Sequence, residues 1–415
     1  MSKFKKIIAS ILPGIFLIGY NVGTGSITSM SKAGANFGFG LLWTILISCI
    51  ITYYLISLFS RYTMVTGETA IQGIKKHIHP NLAILLIAAL SVIILTALIG
   101  VLGILSEVMA EWSKTLFDGG FSQNSWAIFI ALLLYLLLWL GNYGFFEKVL
   151  AILVSIMGAA FLATMFLNFP SIKELSTGFI PKIPETATGS DNNPLVIVAG
   201  MVGTTVSVFV FIIRSQIVKE TGWKMKDNRI QKRDAIVSAS MMFIISAAVM
   251  ITAATTLYVQ DIKMNSVVEM IPLLEPIAGK AAMSVFVIGI AAAGLLSHLP
   301  NLLVIPWLII DYKEEKRETN TRDYRIILGI LTVLSIIGVT LGFKPVFIMM
   351  LSQACIAVVL PITIVSMFYL TNQKKLMKEH SNKKRDIIIL SLIMIFSLYM
   401  GGLGIKGLII DLVNI

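Results

Sequence analysis

The sequence predicts an all-helical membrane protein of eleven transmembrane helices, built as two inverted five-helix repeats plus one helix, with the first and sixth helices broken. Three observations predict it. The chain has 415 residues, 57% of them hydrophobic and 13% charged, with a mean hydropathy of +0.88. A soluble domain of this length cannot hide that much apolar surface, so a bilayer must be its solvent. Apolar runs long enough to cross a hydrocarbon core of roughly 30 Å recur along the whole chain. Two of these runs are interrupted at mid-depth, by Asn21-Val22-Gly23-Thr24-Gly25-Ser26 and by Gly203-Thr204-Thr205-Val206-Ser207.

The first run, about 8–30, follows the basic start Met1-Ser2-Lys3-Phe4-Lys5-Lys6. No small-residue cleavage site follows it, so it reads as a retained helix and not a signal peptide. Runs two to five fall at about 39–65, 80–113, 125–143 and 147–168. Then comes a turn-rich segment, about 169–193, with Pro170, Gly178, Pro181, Pro184, Gly189 and Pro194 at its end and no apolar periodicity. Runs six to ten fall at about 194–218, 235–258, 281–310, 325–342 and 346–371, and an eleventh at 386–408. The whole chain, 1–415, is thus a single membrane domain: a first repeat over 8–168, a second over 194–371, and an added helix.

Lys/Arg excess marks the cytoplasmic loops. The N-terminus carries Lys3, Lys5 and Lys6; later loops on the same side carry Arg61, Lys75 and Lys76, then Lys148, then Lys219, Lys224, Lys226, Arg229, Lys232 and Arg233. Two more carry Lys313, Lys316, Arg317, Arg322 and Arg325, and Lys374, Lys375, Lys378, Lys383, Lys384 and Arg385. Alternate loops hold only Lys32, Lys114, Lys173, Lys182, Lys263, Lys280, Lys344 and Lys406. The sequence therefore predicts a multi-pass protein of the cell membrane, its N-terminus cytoplasmic and its C-terminus on the opposite side. The net charge of +11 is a consequence of this asymmetry and not a nucleic-acid footprint. The expected partners are the lipid bilayer and a transported solute, with no nucleic acid and no obligatory protein partner.

Five spans per set is an odd number, so the second set enters the membrane inverted, and the two broken helices become partners across a pseudo-twofold axis. Unwound peptide at membrane depth is tolerated only where it lines an enclosed or solvated site. Paired interruptions in matching halves point to a transporter's substrate site, on the LeuT-like 5+5 plan. Nothing supports an enzyme: there is no nucleophile with its base, no phosphate-binding glycine loop and no paired acidic motif. Cys49 and Cys355 lie within apolar spans and suggest neither a disulfide nor a thiolate site. No cofactor is expected. His77, His79 and His380 sit in loops without acidic or cysteine partners at ligand spacing. Asn142 and Tyr143 read as interfacial turn residues, and the twenty methionines as packing residues.

Several segments resemble the Nramp metal-ion transporters. Lys32-Ala33-Gly34-Ala35-Asn36-Phe37-Gly38-Phe39, Leu41-Leu42-Trp43, Arg61 and Thr66-Gly67-Glu68 resemble that family's first two helices. Ser106-Glu107-Val108 is similar to its third, Gly203-Thr204-Thr205-Val206 to its sixth, and Leu351-Ser352-Gln353 with Leu360-Pro361 and Lys374-Lys375-Leu376-Met377 to its tenth and the following loop. The resemblance covers most of helices one to ten at matching spacings. It implies secondary-active transport of metal cations by alternating access.

The departures fall on the chemistry. The family's metal ligands in helix one are an Asp-Pro-Gly-Asn, which lands on Gly23-Thr24-Gly25-Ser26 without gaps or on Asn21-Val22-Gly23-Thr24 with a two-residue shift. Its Met-Pro-His in helix six lands on Ser207-Val208-Phe209, and its tenth-helix glutamine on Gln353. Carboxylate, thioether and imidazole are all lost at these positions. Ile104 replaces an aspartate three positions before Glu107, and Arg214 replaces a second histidine of helix six, so the family's proton route is depleted.

The expected ion site is therefore Asn21, Gly23, Thr24, Ser26, Ser207 and Gln353, with Thr24, Ser207 and Gln353 as metal ligands. Such an uncharged oxygen set offsets a stripped divalent ion's desolvation only in part. It suits hard cations, a Mg²⁺-like ion keeping part of its water or else Mn²⁺, better than soft metals. Glu107 is a candidate coupling acid, unless it is merely solvated at the outer interface. Arg214 is a candidate gating residue, with simple snorkelling as the alternative. His298 reads as a satisfied histidine on an apolar helix in preference to a proton relay. A carrier of a small organic solute such as an amino acid, its carboxylate held by helix-one N–H groups, is the competing reading. A third is a non-transporting scaffold or sensor that kept the fold.

Overall fold

The computed structural model describes residues 23–140, 144–184, 193–279, 282–315 and 321–413. Asn21 and the N-terminal part of the first expected span lie outside the described residues, as do Asn142 and Tyr143. Within them the chain is helical, and ten helical stretches are long and apolar enough to cross a membrane. The remaining part of the first span is α1 (Thr24–Phe37). There follow α2 (Leu42–Thr66), a short α3 (Ala70–His77), α4 (Pro80–Leu116), α5 (Gln123–Leu140), α6 (Gly144–Leu167) and a short α7 (Ile172–Thr177). The second half comprises α8 (Pro194–Thr205), α9 (Val208–Glu220), α10 (Asn228–Ala253), α11 (Ala282–Lys313), α12 (Arg322–Thr340), α13 (Pro345–Asn372) and α14 (Lys384–Val413).

Burial sorts these helices into a centre and a shell. All of the most apolar window of α8–α9 is buried, against 28% for α5 and 22% for α6. The α8–α9 pair is thus an axis, and the outer helices present apolar faces such as Leu132, Leu136, Ile152 and Ile156 outward, as a lipid-facing surface requires. α13 packs on α4, α8 and α14, α11 on α4 and α6, and α10 on α1 and α2. In lipid there is no hydrophobic force between helices, so close packing depends on small residues. At Gly203 a Cβ would overlap the Gln353 carbonyl of α13, and at Gly34 it would overlap the Met250 carbonyl of α10.

Three segments differ from the sequence expectation. α1 does not stop near residue 30 but continues to Phe37, so Lys32 is a buried helical residue and not a loop lysine. Ala33, Gly34 and Ala35 let this stretch lie close against α10, and Gly38, at a left-handed φ of 57°, ends it. The loop before α8 contains α7, which a Ser171/Glu174 capping box starts, and the segment after it covers the top of α2 through a Trp43 N–H donated to the Gly178 carbonyl at 2.9 Å. The second-to-third connection folds as α3, begun by a Thr69/Gln72 capping box.

Beyond the membrane core, α3 is tied to the end of α11. Asp311 accepts from the Thr69 hydroxyl at 2.8 Å, from the Gln72 amide at 2.8 Å and from the Gln216 amide of α9 at 3.1 Å. Next to it, Glu314 lies 2.7 Å from Lys76 and 3.2 Å from Lys75. Hydrogen bonds from Lys76 and then Lys75 hold the Glu314 carboxyl below its ordinary range, and the Glu314 bond raises Lys76. A lowered carboxylate stabilises the fold above its ordinary pKa and loses that contribution as pH falls through the lowered value; a raised lysine loses its contribution only at alkaline pH. The clamp is therefore complete between these limits. Because it is largely exposed, its strength is small. We expect Glu314→Gln to leave the unfolding temperature within about 2 °C near neutrality and to reduce the acid-side slope of a melting-temperature profile, the rest of the slope coming from other carboxylates; a slope unchanged from wild type refutes the assignment.

Candidate functional site

The break in the sixth span is short. α8 ends at Thr205, Val206 and Ser207 leave the helix with ψ of 58° and 121°, and α9 restarts at Val208. Each broken end leaves orphan backbone groups that a membrane cannot hydrate. The Thr52 hydroxyl of α2 donates to the Thr205 carbonyl at 2.8 Å, and the Val206 N–H reaches back to the Val202 carbonyl at 2.7 Å. At the start of α1, Gly23 stands in an extended conformation, and the Thr24 N–H donates to the Ser297 hydroxyl of α11 at 3.2 Å.

Between the two breaks lies a cavity of about 40 Å³. Gly23, Gly25 and Ser26 of the ungapped register line it from the α1 side, Thr204 and Ser207 from the α8–α9 break, and Ser352 and Gln353 from α13. Ser207 and Gln353 thus meet as expected. Thr24 does not line the cavity: its hydroxyl is fully buried without a partner among the described residues, and only its backbone takes part locally. α13 approaches closely here because Gly25 has no side chain, and a Cβ there would run into the Gln353 amide and the Met349 methyl.

Sequence reasoning missed four contributors: Thr204, Ser297, Asn301 and Ser352. Ser352 donates to the Ile93 carbonyl at 3.0 Å and Ser297 to the Ala293 carbonyl at 2.8 Å, so each hydroxyl proton is occupied and a lone pair is left for a cation. Three polar residues within one turn, Ser297-His298 and Asn301, are a signal that could have marked span eight. His298 itself is buried, and its Nδ1 has no partner among the described residues. Among the described residues the lining contains hydroxyls and amides, one thioether from Met349, and no titratable side chain. Among the described residues there is no cluster of three His, Cys, Asp or Glu suited to a metal.

The two expected coupling residues lie elsewhere. Glu107 is ten residues beyond the cavity-lining Ala97 along α4, about 15 Å by helical rise. One carboxylate oxygen accepts from the Ser266 hydroxyl at 2.6 Å; the other is buried with no partner among the described residues. Arg214 does not snorkel. It is fully buried at the inner part of α9, where Nη1 meets Asp234 at 2.5 Å, Nε donates to Ser60 at 3.0 Å, and Trp223 stacks 5.2 Å away. A guanidinium can remain at this depth only because the charge is paired.

A small polar cavity lies between the start of α1 and the broken sixth span, inside a shell of outward-facing apolar helices. The sequence model for "Natural resistance-associated macrophage protein-like" proteins matches residues 14–406, and the chain belongs to the Nramp family. Its length also matches the divalent metal cation transporter MntH of Yersinia pestis, 24% identical over 403 residues, 94% of this chain and 93% of that protein. An Nramp 2 homolog of Dictyostelium discoideum is 24% identical over 429 residues, and a MntH of Caldanaerobacter subterraneus 26% over 267. The chain spans only 66% and 60% of those two relatives. The fold resembles a solved manganese transporter of Eremococcus coleocola, TM-score 0.69 at 18% identity, covering 99% of this chain and 96% of that one. It also resembles the nucleobase-cation symporter Mhp1 in a closed conformation, TM-score 0.59 at 13% identity, over 98% of this chain and 91% of that one.

Removing one member of a buried ion pair leaves the other uncompensated. Arg214→Met should cost about 3–5 kcal/mol, and adding Asp234→Leu should restore most of it. Denaturation of the purified variants in detergent checks this; an Arg214→Met protein as stable as wild type contradicts the pairing. Similarly, Gly203→Val should force α8 from α13, lowering stability by about 1–3 kcal/mol and reducing flux. Full stability and flux in that variant would show that the contact is not close.

Proposed function

We propose that this chain carries inorganic divalent cations across the membrane by alternating access, through a site altered toward hard cations such as Mg²⁺ and Mn²⁺. The observation that carries this reading is the cavity at the breaks: about 40 Å³, lined by neutral oxygen donors from Ser26, Ser207, Ser297, Ser352 and Gln353. This volume holds one small ion with about two or three waters. Organic ligands of drug size occupy pockets of about 300 Å³ or more, which disfavours the amino-acid carrier on the same scaffold. The relatives' names, divalent metal cation transporters, support the same cargo class.

Selectivity follows from the donors. Hydroxyl and amide oxygens match hard ions, and the soft Met349 thioether faces Gly25 with its methyl end. With no carboxylate to offset the charge, a divalent ion that keeps part of its hydration loses less than one stripped bare. The α8 C-terminus adds partial negative charge near Thr205, which the partial positive charge of the α9 N-terminus at Ser207 offsets in part, so a bound cation is favoured on the α8 side of the break. Among the described residues the cavity lining offers no proton carrier; on this reading the cation's own electrochemical gradient drives the movement, with Arg214 and Glu107 acting at the inner and outer gates and not as ligands.

Purified protein in liposomes should take up Mg²⁺ and Mn²⁺ saturably, equally fast with and without an inward proton gradient. Gln353→Ala and Ser207→Ala should each weaken the apparent affinity by about tenfold, the loss of one charge-assisted contact. Wild-type kinetics in both variants would refute the site; uptake that requires the proton gradient would refute the driving force.

A further inference from the structure

A second cavity, about 430 Å³ against about 40 Å³ for the central one, opens on the lysine- and arginine-rich face of the protein. It lies between the end of α2, the α9–α10 connection and the start of α14. Arg61, Lys232, Lys383 and Arg385 line it, with His380 beside them. Two acids also line it, but both are engaged. Asp386 accepts from the Tyr54 hydroxyl at 3.1 Å and from the Lys383 N–H at 3.0 Å and lies 3.4 Å from Arg61; Glu379 lies 3.4 Å from His380. Among the described residues the side chains of Lys232, Lys383 and Arg385 form no ion pair.

Two polar atoms on this wall are buried with no partner among the described residues: the Ser57 hydroxyl and the Arg61 Nε. They stand one turn apart on α2, and the rest of the Arg61 guanidinium is already held by Asp386 and by Asn382 at 2.5 Å. Membrane topology explains why lysine and arginine collect on this face. It does not explain a concave site in which one arginine is fixed by Asp386 and Asn382. We propose that the cavity binds a phosphate group, that of an anionic phospholipid in the adjoining leaflet.

Arginine recognises phosphate through its planar fork, and a cluster of bases next to a membrane helix attracts anionic headgroups. The apolar half of such a ligand is accounted for as well. Arg385, Ile388, Leu392 and Ile395 follow one another at spacings of three, four and three on α14, which places them on one helix face. Ile388, Leu392 and Ile395 are each 61% exposed. An acyl chain can run along that stripe while its phosphate sits among the bases below. A cation in transit is repelled by the same bases, so the cavity is no part of the transport site.

The test offers delipidated full-length protein phosphatidylglycerol, phosphatidylcholine or inorganic phosphate, and reads retained lipid by native mass spectrometry together with the unfolding temperature. Phosphatidylglycerol should be retained over phosphatidylcholine, and Lys232→Gln with Arg385→Gln should weaken that retention about tenfold or more. Both side chains are exposed and make no ion pair, so the double variant should fold normally. A rise in unfolding temperature with inorganic phosphate alone, lost in the same variant, supports the site with free phosphate as its source. Equal retention of both lipids with no response to phosphate overturns the proposal. So does a double variant that binds as wild type, or an equal loss in Lys374→Gln with Lys375→Gln, which removes the same charge outside the cavity.

Discussion

Every peptide group inside a bilayer must find its hydrogen-bond partner within the protein, and the interrupted sixth span is where this chain meets that demand at greatest cost. The interruption forces the surroundings. α2 contributes the Thr52 hydroxyl to the Thr205 carbonyl, α11 contributes Ser297 to the Thr24 N–H, and α13 lies against Gly203 so closely that no side chain fits between them. The partners that satisfy the breaks also enclose the polar cavity. Cavity lining and structural repair share these residues.

Charges were arranged by the same economy of burial. Arg214 is held by Asp234 and Ser60, and Asp311 by Thr69, Gln72 and Gln216. Each cluster joins α9 to other elements on the same side of the protein. The central cavity, in contrast, holds no charge at all. An ion placed there must bring its own compensation in retained water and partial charges.

Much of this was readable in the sequence, and the parts that were not have physical reasons. Long apolar runs gave the spans from α2 to α14 within a few residues at each end, because a bilayer imposes length and composition together. The Gly203 to Ser207 run announced the break, since a continuous helix has no need of it. Ser207 and Gln353 were legible because they align with known ligand positions. Ser297 and Ser352 were not: a serine in an apolar helix usually bonds back to its own backbone, as Ser297 does, whereas Ser352 donates to the Ile93 carbonyl of α4, a partner only the tertiary structure supplies. The burial of Arg214 was not legible, and snorkelling stood as an alternative to gating, because Asp234, its counter-charge, is twenty residues away in sequence. Lys32 was assigned to a loop because burial of a lysine is rare, and only the tertiary packing of α1 against α10 overrides that expectation.

The clasp around Asp311 restricts how this molecule can open. Its carboxylate gathers donors from the segment before α3, from α3 itself and from α9, so separating α9 from α11 would cost it the Gln216 donor while Thr69 and Gln72 stay in place. With Arg214 fastened to α2 and α10 on another flank, the lower half of the sixth span is riveted to the scaffold. Val206 and Ser207, the two residues that leave helical geometry, lie directly before the part so fastened, while α8 on their other side carries neither tie.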